Sequence, residues 1–190
     1  MNFQAVAQSV TNVKERNVLV ISGHPNLKES SANKAILNAL EKSYGNSVQF
    51  HYLDRLYPDY KIDIKKEQNA VLKADILVLQ FPFYWYSTPA LLKKWIDDVI
   101  FDFFEGNALS GKFKGKKVIL SITAGGSEEA YSQSKNKVES YLLPLQETFE
   151  VIGGKWQKPL FLFSAMPSAE LEKATQNYAK ELIKAIEKHR

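Results

Sequence analysis

Short apolar runs alternate along this chain with longer amphipathic stretches, and that alternation restricts it to an α/β fold with a parallel sheet. Asn17–Ser22 (NVLVIS) reads as a first buried strand, Val48–Leu53 as a shorter second, and Ile76–Phe81 (ILVLQF) as a third. The third is too uniformly apolar for a sheet edge. Lys117–Thr123 (KVILSIT) supplies a fourth strand and Leu160–Ser164 a fifth. Between them, Ser31–Tyr44 carries Ala32, Ala35, Ile36, Ala39 and Leu40 at helical spacing. Ile64–Ala74 and Pro89–Phe101 also read as helices, the latter with Pro in its first turn, and Leu56–Asp63 as a turn-rich connection. The region Lys135–Val151 is mainly helical, broken or restarted at Pro144 and ended by Gly153–Gly154. Ser168 is expected to cap a last helix that turns Leu171, Ala174, Tyr178, Leu182 and Ile186 inward. The expectation is one doubly wound domain over residues 17–190, with five parallel strands in the order 2-1-3-4-5 and helices on both faces. Residues 1–16 are an added arm.

Composition removes several function classes. The chain has no cysteine, so a disulfide framework, a thiolate metal site and a cysteine nucleophile are all excluded. His24, His51 and His189 are far apart, which argues against an imidazole metal cage. No stretch approaches the roughly 18 apolar residues of a membrane span, and the start lacks an apolar signal core. A reducing cytoplasm is the natural compartment. The 25 Lys and Arg against 21 Asp and Glu give a net charge of +4, but the positive clusters are short, separated and interleaved with acids. A nucleic-acid partner is therefore not expected. The scatter fits a solvated surface, or attraction of a phosphorylated cosubstrate.

Unusual residues gather at three strand-end turns, and ligands of open α/β sheets bind beyond the carboxyl ends of the strands, where the winding reverses. After strand one, His24, Ser30, Ser31 and Asn33 lead into a helix whose N-terminus suits a phosphate; a plain serine N-cap fits the same residues. Neither G-x-G-x-x-G nor G-x-x-x-x-G-K-[ST] is present. After strand three, Phe83, Tyr84, Trp85 and Tyr86 stand in a row between Pro82 and Pro89. They suit a wall for a planar ring, or alternatively a hydrophobic plug or a dimer contact. After strand four, Thr123-Ala124-Gly125-Gly126 allows close backbone approach to a ligand, or simply a tight turn. Taken together, the three turns describe a pocket for a phosphate carried on a planar, carbonyl-bearing heterocycle, as in flavin mononucleotide.

These residues resemble a known family. His24-Pro25, Ser30-x-Ala32-Asn33, Leu56-Tyr57-Pro58-Asp59, Glu67-Gln68, Gln80-x-Pro82, Trp85-Tyr86-Ser87-x-Pro89, Leu91-Leu92-Lys93-x-Trp95-Ile96-Asp97 and Thr123-x-Gly125-Gly126 occur in the order found in flavodoxin-like NAD(P)H:quinone oxidoreductases. The likeness runs from about Asn17 to Lys188 and is strongest to bacterial members, including the ancillary oxidoreductase of the glutathione-regulated potassium-efflux system.

The resemblance implies a cytoplasmic homodimer that binds flavin, takes hydride from NAD(P)H and passes two electrons to a quinone by a ping-pong route. It implies that His24, Ser30, Ser31, Ala32 and Asn33 hold the phosphate. Phe83 to Tyr86 and Thr123, Ala124, Gly125 and Gly126 would embrace the ring, and Tyr131 would be catalytic. FMN is favoured and FAD is the alternative, since the long C-terminal extension of the animal enzymes is missing. Residues 132–137 depart from the family's glycine- and histidine-containing stretch, so a Tyr–His relay is not implied. The alternative reading is a flavin-binding regulatory subunit that docks on a potassium-efflux transporter.

Overall fold

The computed structural model describes residues 16–133 and 137–190; most of the expected N-terminal arm, and the start of the helical region expected from Lys135, lie outside the described residues. Four principal strands, β1 (Val18–Ser22), β2 (Val48–Tyr52), β3 (Ile76–Pro82) and β4 (Lys117–Thr123), lie in the order β2-β1-β3-β4, all parallel. The outer edge of β4 carries two short pieces, β5 (Lys155–Trp156) and β6 (Leu160–Leu162).

The expected fifth strand is thus interrupted. Lys155 pairs with Lys117 and Leu160 with Ser121, so the outer strand holds one residue more than β4 between those pairings, a bulge. Pro159, which has no N–H to give the ladder, sits in that bulge. Ser164, with φ of 52°, has already left the extended conformation, which shortens the strand at its far end.

Alternate strand residues face opposite layers. Leu19, Ile21, Leu77, Leu79, Val118 and Leu120 pack with α3 (Ile64–Lys73), α4 (Ala90–Ile100) and α6 (Leu143–Val151). Val18, Val20, Ile76, Val78 and Ile119 pack with α1 (Ser31–Tyr44) and α7 (Leu171–Glu187). On α1 the buried stripe is Ala32, Asn33, Ile36, Leu37 and Leu40, with Ala35 left exposed, so it is rotated from the alanine-based face expected. Bringing Asn33 inward is the important consequence. Pro89 precedes α4 as its N-cap, and Pro144 restarts the chain at the beginning of α6. Ser168 does not cap α7; the helix starts at Leu171, and Ser168 contributes only its carbonyl to the Leu171 N–H.

Two short helices add to the expected set: α2 (Leu53–Leu56), where the second strand was expected to end, and α5 (Glu128–Ser132) after β4. Asp54 of α2 accepts the Leu27 N–H at 2.9 Å and so pins the turn that leads into α1.

The fully buried Glu67 joins β2, α3 and α4. It accepts from Trp95 Nε1 (2.9 Å), from the Tyr57 hydroxyl (2.6 Å) and from His51 Nδ1 (2.7 Å). Gln49 Nε2, which faces His51 Nε2 at 2.7 Å, can only donate, which places the ring hydrogen on Nδ1, facing the carboxylate.

Candidate functional site

A cleft of about 820 Å³ opens at the carboxyl ends of β1, β3 and β4, where the strand order reverses. His24, Ser30, Ser31, Ala32 and Asn33 line one side, Phe83, Tyr84 and Trp85 another, and Thr123, Gly125 and Gly126 the third. The structure therefore gathers residues from all three unusual turns around one cavity.

The first turn is organised for an anion. Ser30 is the N-cap of α1, and its Oγ accepts from the Asn33 N–H (3.2 Å) and from Asn33 Nδ2 (2.9 Å). Both lone pairs are filled, so Ser30 has only its hydroxyl hydrogen to offer. Ser31 and Ala32 stand in the first turn of the helix, where backbone N–H groups have no intrahelical acceptor. His24 Nδ1 accepts from the Asn26 N–H at 3.1 Å, which puts the ring hydrogen on Nε2. Burial draws the His24 pKa below its ordinary value, against the pull of Asp54. Among the described residues lining the cleft none is lysine or arginine, and Glu29 adds a carboxylate at the rim. Neutral donors and the helix dipole are what an anion meets here.

The second turn is strained. Tyr84 and Ser87 exchange backbone hydrogen bonds at 3.0 Å in both directions, while Trp85 and Tyr86 between them have φ of 46° and 65°. Positive φ at both central positions is the type I′ pattern, a conformation that usually demands Asn or Gly. The result holds Trp85 out at 93% exposure. The four aromatics divide into different roles. Phe83 is buried and backs the cleft, Tyr84 and Trp85 form its wall, and Tyr86, outside the lining, packs at a tilt on Tyr141 with ring centroids 4.7 Å apart.

The third turn is stapled to the chain after β6. Ala124 N–H donates to Leu162 O, Ala165 N–H to Ala124 O, and Ser164 N–H to Gly126 O, at 2.8–2.9 Å. Ala124 is buried and takes no part in the lining. The N–H groups of Gly125 and Gly126 have no acceptor among the described residues. This stapling brings in a fourth wall, Ala165, Met166, Pro167 and Leu171, which the sequence reading did not find. The Ser-Ala-Met-Pro-Ser stretch after a strand was the available signal, the same strand-end position as the other three turns.

Tyr131, on α5, lies outside this lining. It faces a neighbouring depression of about 700 Å³ together with Phe161 and Phe163, and its ring packs 5.6 Å from that of Phe163. Burial, with Tyr86 and Tyr141 nearby, pushes its pKa up, so the phenol stays protonated at neutral pH.

Residues 16–186 match the protein family described as the flavodoxin-like fold. Among curated proteins, the glutathione-regulated potassium-efflux system ancillary protein KefF of Enterobacter sp. (strain 638) is 35% identical over 90% of this chain and 98% of its own length. The uncharacterized NAD(P)H oxidoreductase YrkL of Bacillus subtilis (strain 168) is 38% identical over 71% of this chain and 78% of its own. The chain belongs to the family of the flavodoxin-like fold. A solved structure of the same fold, general stress protein 14 of Treponema denticola in complex with FMN, superimposes with a TM-score of 0.80 at 24% identity, covering 93% of this flavodoxin-like chain and all (100%) of the other.

Proposed function

We propose that this chain is a flavin-dependent NAD(P)H dehydrogenase that binds FMN in the cleft and reduces quinones by two electrons. One observation carries the reading: a helix N-terminus dressed with neutral donors shares a single cavity with an aromatic wall and a pair of unengaged glycine amides. Those parts fit a phosphate and a flat, polar-edged ring respectively. Bound flavin supplies the acceptance of hydride from NAD(P)H and its delivery to the acceptor.

The chain's own residues do the rest. Ser31 and Ala32 N–H, the Ser30 hydroxyl and His24 Nε2–H hold the phosphate. Tyr84 and Trp85 exclude water from one side of the ring, with Met166 and the Gly125–Gly126 turn on another. The Gly125 and Gly126 amides are assigned to the polar ring edge, where reduction builds negative charge that fixed donors stabilise. FMN is favoured over FAD on the likeness to the Treponema denticola protein solved in complex with FMN. Tyr131 is assigned to support from behind the glycine pair, because its ring stands outside the lining.

NAD(P)H and quinone using one cleft in turn predicts ping-pong kinetics, seen as parallel double-reciprocal plots with a soluble benzoquinone. Intersecting plots would contradict the shared site. An exposed apolar groove of about 320 Å³ between α4 and α6, with Phe101 65% and Phe104 45% exposed, is assigned to a second copy of the chain. Light scattering should give a dimer; a monomer at all concentrations removes that assignment. Among the described residues no helix is long and apolar enough to cross a membrane, and use of NAD(P)H fits the cytoplasm.

The likeness to KefF along 90% of the chain favours one further reading, in which the flavoprotein also docks on a potassium-efflux transporter. Copurification with such a transporter supports it; an efflux activity indifferent to this protein ends it.

A further inference from the structure

We propose that Gln80, which takes no part in the cleft lining, is a positioning residue that makes the mouth of α1 a pure hydrogen-bond donor and thereby sets its selectivity for a phosphate. The proposal rests on the flavin reading above.

Gln80 stands near the carboxyl end of β3, paired in register with Ser22 of β1 and Ser121 of β4, and is completely buried. Its Nε2 donates to Asn33 Oδ1 at 2.5 Å, and the Thr123 hydroxyl donates to the same oxygen at 3.0 Å. Asn33 is itself 3% exposed, and its Nδ2 donates to Ser30 Oγ. Two central strands and the N-cap of α1 are thus joined through one amide.

Polarity runs along this relay in one direction. A hydroxyl can donate or accept, so Thr123 and Ser30 adapt to whatever faces them. The Gln80 amide nitrogen can only donate. It therefore holds the Asn33 carbonyl toward the sheet and the Asn33 amide hydrogens toward Ser30. Ser30 Oγ is left with both lone pairs occupied and its hydrogen as the only group to present. An anion is attracted by that hydrogen and would be repelled by a lone pair. Without the Gln80 donor, Asn33 is free to turn, Ser30 spends its hydrogen on Asn33 Oδ1, and the helix mouth faces the phosphate with an acceptor.

A phosphate-specific effect distinguishes this role from general support of the cleft. FMN and riboflavin share the ring and the sugar alcohol and differ only in the phosphate. Titration of wild-type protein and Gln80→Met with both ligands, followed by flavin fluorescence, gives four dissociation constants. Met matches Gln in size and removes the donor, and thermal melts of the flavin-free proteins report whether it folds.

A hydrogen bond to a charged group is worth enough that FMN affinity should fall by about tenfold or more, while riboflavin affinity changes by less than about twofold. Equal losses for both ligands, or no loss for either, overturn the proposal. A wild type that binds neither ligand ends the flavin reading and this proposal together. A wild type that prefers FMN, with an unchanged preference in Gln80→Met, ends this proposal alone. Should Gln80→Met fail to fold, Asn33→Asp carries the test. A carboxylate cannot donate to Ser30, and the same selective loss of FMN is expected, whereas an intact FMN preference overturns the proposal.

Discussion

The ring of Tyr131 packs directly behind Gly126: a Cβ built on that glycine would sit 3.1 Å from Tyr131 Cε2. The tyrosine fills space behind the turn whose front faces the cleft. A hydroxyl acting in proton transfer is worth roughly 10²–10⁴-fold in rate. The account predicts much less: Tyr131→Phe keeps its flavin and loses under about threefold in kcat with benzoquinone, well below that range. Tyr131→Ala, which removes the backing ring, should release flavin readily. A large fall in kcat for Tyr131→Phe with flavin still bound would return the hydroxyl to the chemistry.

Trp85 and Tyr86 hold adjacent positive φ values that L-residues adopt at a cost of about 1–3 kcal/mol each. Trp85 buries almost none of its own surface in return. Trp85→Gly should therefore stabilise the flavin-free protein by about 1 kcal/mol, a rise in Tm of roughly 2–4 °C for a chain of this size. The same change removes a ring wall and should weaken FMN by up to about tenfold. Calorimetry and a flavin titration on one preparation check both directions. A variant that melts lower, or binds FMN as tightly, is contrary to the account.

Burial by itself would raise the Glu67 carboxyl, but the bonds from His51, Tyr57 and Trp95 outweigh it and hold the pKa below its ordinary value of 4.5. The native state thus binds fewer protons than the unfolded chain in this range. The stability it contributes is complete above the unfolded value and is lost as pH falls through the depressed native one. Urea midpoints should fall below about pH 4.5, and Glu67→Gln should flatten that part of the profile. At pH 7, Glu67→Leu strands three buried donors and should cost about 3–5 kcal/mol. A Leu variant as stable as wild type would show the network to be dispensable.

A Cβ on Gly125 would meet Met166 Sδ at 3.4 Å, an ordinary contact, so a side chain there is compatible with the fold. The branches of valine would crowd the wall that this glycine shares with Met166. Gly125→Val should keep its circular dichroism spectrum and lose flavin on gel filtration. Cofactor retained through the column would mean that the ring lies elsewhere.

Much of this architecture was legible because the strands are buried on both faces and the strand-end turns break every periodicity. Val18–Ser22 and Ile76–Pro82 read as apolar runs because helices cover both sides of them. The cleft announced itself through residues that loops rarely hold, such as four aromatics in a row. What escaped notice depended on tertiary context. The bulge at Pro159 moved the outer strand by one residue, and no local signal marks which rung is skipped. Ala165-Met166-Pro167 looks like any turn until the hydrogen bonds from Ser164 and Ala165 staple it against the glycine pair. Asn33 was read as a donor to a ligand. In the fold it faces inward and spends its side chain on Gln80, Thr123 and Ser30.

Flavin occupancy tests all of this most directly. The purified protein, with and without added FMN, should be desalted, its visible absorbance recorded, and the cofactor released by heat and identified by chromatography. The account predicts flavin bands retained with the protein, FMN as the released species, and bleaching on addition of NAD(P)H. A colourless protein that takes up no FMN at excess ligand contradicts it.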